Sequence, residues 1–189
     1  MKRIFIAVDI PDEARRIIAS YIEVLRRRFP NVRVGWERPE KLHLTLKFIG
    51  RMEETVLDDL SRELQEAVGR VDNFDATLGG TGLFPSPRNP RVLWIGLSGD
   101  EGKFAELAKV VDGVCERYGI ETEKRKSHPH LTIGRIKDPA GARELGEFHL
   151  DQDPISQRLN VADVTVYESK LAPTGSTYLK LAVYPLRRE

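Results

Sequence analysis

Two histidines, each followed two residues later by a threonine, stand out in a chain of 189 residues with only four histidines. The segments are His43-Leu44-Thr45-Leu46 and His130-Leu131-Thr132-Ile133. An imidazole ordinarily titrates at about 6.5, so near neutrality one ring can begin charged and another neutral. Such a pair can give and take a proton within one reaction. A threonine hydroxyl can hold a phosphate oxygen. Together these residue types suit cleavage of a phosphodiester. The nucleophile loses a proton, the leaving oxygen gains one, and hydroxyls and nearby cations steady the non-bridging oxygens. A strained cyclic diester is reactive enough that a metal is not obligatory, and none is expected here.

The motifs read as strands, in which alternate residues share a face. His43, Thr45 and Lys47 then share one face, opposite Leu42, Leu44, Leu46 and Phe48. His128, His130 and Thr132 share a face, opposite Leu131 and Ile133. Lys47 is a candidate to reach a phosphate. Phe48, Tyr167 and Tyr178 are candidates to stack on a base. Strict alternation turns Arg135 away from Thr132, so a substrate role for it requires a bulge or a strand end. Lys124-Arg125-Lys126 is a candidate basic rim. His128 reads as a neighbour of the site, and His149 as structural or exposed.

The elements around the motifs repeat. Residues 4–8 read as a buried strand, and Pro11, Asp12 and Glu13 open a helix that runs to about Phe29-Pro30. After a short extended piece at 32–36 comes the first motif strand, 42–49, then a helix over 53–68. An extended piece over 74–83 and a proline loop, 84–90, lead to a strand over 91–97 and a helix over 100–118. The second motif strand spans 130–136, and 138–139 opens a short helix or loop. Strands over 161–171 and 178–186 close the chain around a turn. Arg3-Ile4-Phe5-Ile6-Ala7-Val8 matches Arg91-Val92-Leu93-Trp94-Ile95-Gly96 at an offset of 88, while the two motif histidines are 87 apart. Strand, helix and His-x-Thr strand thus occur twice. A pseudo-twofold arrangement of the two copies brings both motif strands to one central cleft.

Composition narrows the setting. A chain with 40% hydrophobic and 31% charged residues is an ordinary water-soluble globular type. The net charge of +1 supplies no global attraction to nucleic acid, so affinity for a phosphodiester must come from a local patch. One cysteine, Cys115, excludes an intrachain disulfide and a cysteine metal cluster. No apolar run reaches signal-peptide or membrane-spanning length. A cytoplasmic monomer without a cofactor or membrane attachment is expected.

The two motifs, read at full length as His43-Leu44-Thr45-Leu46-Lys47-Phe48-Ile49-Gly50 and His128-Pro129-His130-Leu131-Thr132-Ile133-Gly134-Arg135, resemble the signatures of the two-histidine (2H) phosphoesterases. The segments 3–8, 84–88 and 166–169 are similar to one branch of them, the RNA 2',3'-cyclic phosphodiesterases, long called 2'-5' RNA ligases. The resemblance implies one bilobal α+β domain over 1–189, a pseudo-twofold duplicated unit with antiparallel sheets lining a central cleft and helices outside. It implies metal-independent hydrolysis of an RNA terminal 2',3'-cyclic phosphate to a 2'-phosphomonoester. It implies His43 as proton donor, His130 as proton acceptor, and Thr45 and Thr132 on the phosphate, with Lys47, Phe48 and Arg135 as further substrate contacts. Two other readings stay open. A metal-dependent phosphoesterase could use His128 and His130 as ligands, although no cluster of carboxylates accompanies them. An RNA-binding or 2'-5' end-joining protein with weak hydrolysis is the alternative of a different class.

Overall fold

The computed structural model describes residues 1–99, 101–122, 129–138, 140–172 and 175–188. His128 and the run Lys124 to Lys126 lie outside them. The chain order is β1 (Lys2–Asp9), α1 (Asp12–Arg28), β2 (Val34–Trp36), a 3-10 turn (Pro39–Lys41), β3 (His43–Met52), α2 (Glu54–Val68), β4 (Phe74–Ser86) and β5 (Asn89–Ser98). There follow α3 (Glu101–Glu116), β6 (His130–Ile136), α4 (Ala142–Leu150), β7 (Gln157–Val161), β8 (Asp163–Ala172) and β9 (Gly175–Pro185). All strand pairing is antiparallel within two sheets, ordered β3-β1-β8-β9 and β2-β6-β5-β4-β7. The α+β class and the two antiparallel sheets agree with the expectation. Among the described residues no helix is long and apolar enough to cross a membrane.

Helix α1 forms where acidic Asp12 and Glu13 meet its positive end and Arg26 to Arg28 meet its negative end. It buries Ile18, Tyr21, Ile22 and Leu25, one face of the 3.6-residue period. Helix α2 buries Leu57, Leu60, Leu64 and Val68 at the same spacing. Helices α2 and α3 pack on each other, and they touch β9 and β3 of the first sheet. Helix α4 packs on β4 and β5 of the second sheet. Although α3 follows β5 of the second sheet, it lies against β3 of the first. One apolar core runs through both sheets.

The proline segment folds differently from the expected loop. Strand β4 continues through Phe84 and Pro85 to Ser86, and Pro85 pairs with Pro90 at the end of a tight hairpin. Strand β7, which has no counterpart in the sequence reading, pairs with the far edge of β4. The duplication is also one residue tighter than the 88 read from the sequence. Asp9 faces His43 and Gly96 faces His130, Ala7 faces Thr45 and Trp94 faces Thr132, Phe5 faces Phe48 and Val92 faces Arg135. Every such pair lies 87 residues from its counterpart, as Asp9 to Gly96 and His43 to His130.

Both motif strands carry a bulge at the equivalent place. Between the pairs Ala7–Thr45 and Ile6–Lys47 the ladder skips Leu46. Between Trp94–Thr132 and Leu93–Gly134 it skips Ile133. An extra residue resets the alternation of a strand. The third residue after each threonine, Phe48 or Arg135, therefore returns to the face of the histidine. Strands β3 and β6 touch across the junction of the two sheets, which brings these two faces together.

Candidate active site

A cavity of about 90 Å³ lies at that junction, lined by His43, Thr45, His130 and Thr132. At about 30 Å³ per water it holds roughly three water molecules, which is the scale of a phosphoryl group. Phe48, Arg135, Tyr178, Lys41 and Glu37 complete its wall. Of the seven residues that the resemblance assigns to the site, six meet here. The seventh, Lys47, does not. The bulge at Leu46 turns it to the opposite face, where it is 3% exposed. Its ammonium reaches Asp112 Oδ1 of α3 at 2.5 Å and the Glu121 carbonyl oxygen at 2.6 Å. Strict alternation misplaced Lys47, Phe48 and Arg135 together, and one device explains all three. Phe48 is 68% exposed at the cavity mouth, whereas an apolar face would have buried it.

His43 is oriented from behind. Its Nδ1 lies 2.6 Å from the Lys41 carbonyl oxygen at the end of the 3-10 turn. A carbonyl accepts only, so Nδ1 carries the hydrogen and Nε2 is left for the cavity. The turn itself is held by Arg15 of α1, whose Nη1 donates to the Pro39 carbonyl oxygen at 2.8 Å. Arg15 also sits 3.5 Å from Asp9, the ladder partner of His43. Asp9 accepts from Thr165 Oγ1 at 3.2 Å, from Lys180 Nζ at 2.7 Å and from the Tyr167 hydroxyl. Burial would raise the Asp9 carboxyl, but the bonds from Lys180 and Tyr167 outweigh it and leave the group below its ordinary value. Burial likewise pushes His43 below 6.5, against the opposing pull of the Lys41 carbonyl and the Asp9 charge. The charges of Arg15 and His130 add to the lowering.

Aromatic rings pack against both histidines. Phe5 lies 4.9 Å from His43 and Tyr178 meets it edge-on at 5.5 Å. Phe84 meets His130 edge-on at 4.9 Å, and Trp94 lies 6.0 Å away. The Trp94 ring fits because its cross-strand partner is Gly82, where a Cβ would come within 1.9 Å of the ring. Tyr167, a candidate for base stacking, is instead buried against Phe5 at 5.0 Å with its hydroxyl on Asp9. Tyr178 does border the cavity, with the Lys41 ammonium 5.6 Å from its ring centre. His149 is fully buried in α4. It bonds the Tyr21 hydroxyl at 2.8 Å and the Trp94 carbonyl oxygen at 3.1 Å. Among the described residues no three His, Cys, Asp or Glu side chains are grouped to hold a metal.

Glu37 and Lys41 had no signal in the sequence, because they lie in the irregular link between β2 and β3 and share no period with the motifs. A second cavity of about 580 Å³ adjoins the first and shares Glu37, Lys41, Phe48, Arg135 and Tyr178 with it.

The pattern of the LigT-like phosphoesterase family matches residues 8–94 and again residues 95–178. The chain belongs to this family. Each half of the duplicated unit carries one match, with its own His-x-Thr strand. A relative from Methanothermobacter thermautotrophicus, named RNA 2',3'-cyclic phosphodiesterase, is 30% identical over 97% of this chain and 98% of its own. One of the same name from Aeropyrum pernix is 38% identical over 72% of this chain and 85% of its own. Among solved structures, a protein from Thermus thermophilus superposes with a TM-score of 0.81 at 28% identity, covering 99% of both chains. E. coli LigT in complex with 3'-AMP gives 0.78 at 27% identity, covering 98% of both.

Proposed function

We propose that this LigT-like phosphoesterase hydrolyses the terminal 2',3'-cyclic phosphate of RNA to a 2'-phosphomonoester, without a metal. The observation that carries the reading is the meeting of two His-Thr pairs in one phosphate-sized cavity with Arg135 and Lys41 on its wall. The names of its full-length relatives agree with this activity.

In this mechanism the cyclic phosphate sits between Thr45 and Thr132, whose hydroxyls donate to its non-bridging oxygens. Arg135 and Lys41 offset its negative charge. His130 takes a proton from a water as the water oxygen bonds to phosphorus. The bond from phosphorus to the ribose 3' oxygen breaks, and His43 Nε2 delivers a proton to that oxygen. The product keeps the phosphate on the 2' oxygen. The Lys41 carbonyl fixes the tautomer of His43, and the bound anion raises its proton affinity against the effect of burial. Phe48 and Tyr178 flank the terminal base at the mouth.

Action as a monomer with no cofactor is part of this proposal. A cytoplasmic setting fits a chain whose one cysteine is buried and unpaired. The test is incubation of an RNA bearing a 2',3'-cyclic end with the protein in excess EDTA, followed by identification of the product isomer. A 2'-phosphomonoester is expected. Loss of turnover on chelation, or a 3'-phosphate product, contradicts the reading.

A further inference from the structure

Three depressions meet at Trp36. The 580 Å³ groove beside the phosphate cavity is bordered by Trp36, Arg38 and Lys137. A second, of about 350 Å³, is bordered by Trp36 and Lys137 again and continues to Arg33 and Arg26 beside the end of α1. A third, of about 340 Å³, shares Trp36, Arg38 and Arg26 and also carries Glu23 and Glu37, so the cationic character is concentrated in the second depression. Trp36 is half-buried in β2 and lies over the backbone of β6. A Cβ at Gly134 would come within 2.9 Å of the Trp36 Cε3 atom, so the ring rests where that glycine leaves room. One face of the indole is therefore pinned to a strand next to Arg135, and its edges border open, cationic surface.

The charge of this tract is out of keeping with the molecule. The whole chain carries a net +1. The 350 Å³ depression is lined by Arg26, Arg33 and Lys137 with no carboxylate. On other faces Arg62, Arg143 and Arg158 each sit against an acidic side chain. No ion pair to a carboxylate engages Arg33, Arg38 or Lys137 among the described residues. Arg26, at the far end, pairs with Glu23 at 2.8 Å, whereas Arg33, Arg38 and Lys137 on either side of a pinned aromatic ring form the arrangement that follows a single-stranded nucleic-acid backbone while stacking its bases.

We propose that nucleotides upstream of the cyclic end leave the phosphate cavity through the large groove, cross Trp36, and continue along Lys137 and Arg33 toward Arg26. The inference rests on the phosphodiesterase reading and deepens it: the substrate class is an oligoribonucleotide several residues long, and a cyclic mononucleotide occupies only the inner part of the site. A 2',3'-cyclic phosphate is a 3'-terminal group, so the rest of such an RNA necessarily extends outward on one side. Trp36 supplies a stacking surface for an upstream base, and the cations beyond it meet upstream phosphates.

The experiment compares kcat/KM for a 2',3'-cyclic mononucleotide with that for oligoribonucleotides of increasing length bearing the same end. Wild type, Trp36→Ala and the double variant Arg33→Glu with Lys137→Glu are assayed. In wild type the ratio of oligonucleotide to mononucleotide efficiency should rise with length and then level off. Trp36→Ala should lower that ratio about 10-fold, the scale of one lost stacking contact. The charge-reversed double variant should lower it as well and flatten its salt dependence, which is set by the number of phosphates contacted. Turnover of the mononucleotide with no gain from added length overturns the extended path and leaves the phosphodiesterase reading standing. So does a length gain that persists undiminished in both variants. Absence of turnover with every substrate overturns the phosphodiesterase reading, and this inference with it.

Discussion

At the scale of single residues, the site combines two rings whose surroundings differ in detail. His43 has Nδ1 on the Lys41 carbonyl oxygen and an acidic residue, Asp9, opposite it in the ladder. His130 faces Gly96 in the equivalent ladder position and is flanked by Phe84 and Trp94. In the proposed mechanism each ring carries a proton transfer, so His43→Ala and His130→Ala should each lower kcat by about 100-fold or more. Thr45→Ala and Thr132→Ala each remove one phosphate contact and no proton transfer, and steady-state kinetics should show a smaller loss in both. Arg135→Ala should raise KM more than it lowers kcat, since the proposed contact of its charge with the phosphate is made in the ground state as well. A threonine variant as damaged as the histidine variants would assign the hydroxyls a different role. The histidines and threonines were legible in the sequence because their types are rare or repeated in a fixed frame. Tyr178 was legible as a stacking candidate, but Glu37 and Lys41 carried no local signal, and no local pattern placed any of the three at the cavity. They arrive from an irregular link and from the last strand, and only the tertiary fold brings them to the cavity.

At the scale of elements, the paired bulges at Leu46 and Ile133 decide what the motif strands display. Alternation alone gives the correct face for His43, Thr45, His130 and Thr132, then fails for Lys47, Phe48 and Arg135. A bulge is set by how the neighbouring strand pairs, and that information lies some 40 residues away in the chain, in β1 and β5. For the same reason the offset of 88 between similar-looking segments gave way to 87 once the ladders were known. Lys47 has a structural role instead, since from β3 it ties α3 and the link that precedes β6. Its side chain is 2% exposed, and that of Asp112 is 23% exposed. Lys47→Met leaves that carboxylate without its partner. Removing one member of a buried pair costs about 3–5 kcal/mol, and the partial exposure of Asp112 places this case near the lower end. Chemical denaturation should therefore show a loss of about 3 kcal/mol for Lys47→Met. KM for a short cyclic substrate should change little. A large rise in KM without a stability loss would return Lys47 to the phosphate.

At the scale of the whole molecule, His149 ties α4 to α1 and to the second sheet, since it bonds Tyr21 of α1 and the Trp94 carbonyl oxygen of β5. Burial pushes its pKa down to about 4 from an ordinary 6.5. The unfolded chain therefore binds a proton that the folded chain refuses between those values. The resulting stability is fully present above about pH 6.5 and is lost as the pH falls toward 4, a change on the order of 3 kcal/mol. Thermal melts of wild type should fall over that window, and His149→Gln should show a shallower fall from a lower starting point. An equal slope in both proteins would show that other groups govern the acid limb. The bilobal duplication was readable from the chain itself, whereas the placement of α3 against the first sheet was not, because helix amphipathicity states that a face is buried and not against what. In the proposed mechanism His43 and His130 act as one acid–base pair on one phosphate. It is tested most directly by the pH dependence of kcat/KM on a 2',3'-cyclic RNA end, measured for wild type, His43→Ala and His130→Ala. The pair predicts a bell in wild type, and the loss of one limb with most of the rate in each variant. Near-wild-type turnover in either variant, or a variant that keeps the full bell, would contradict it.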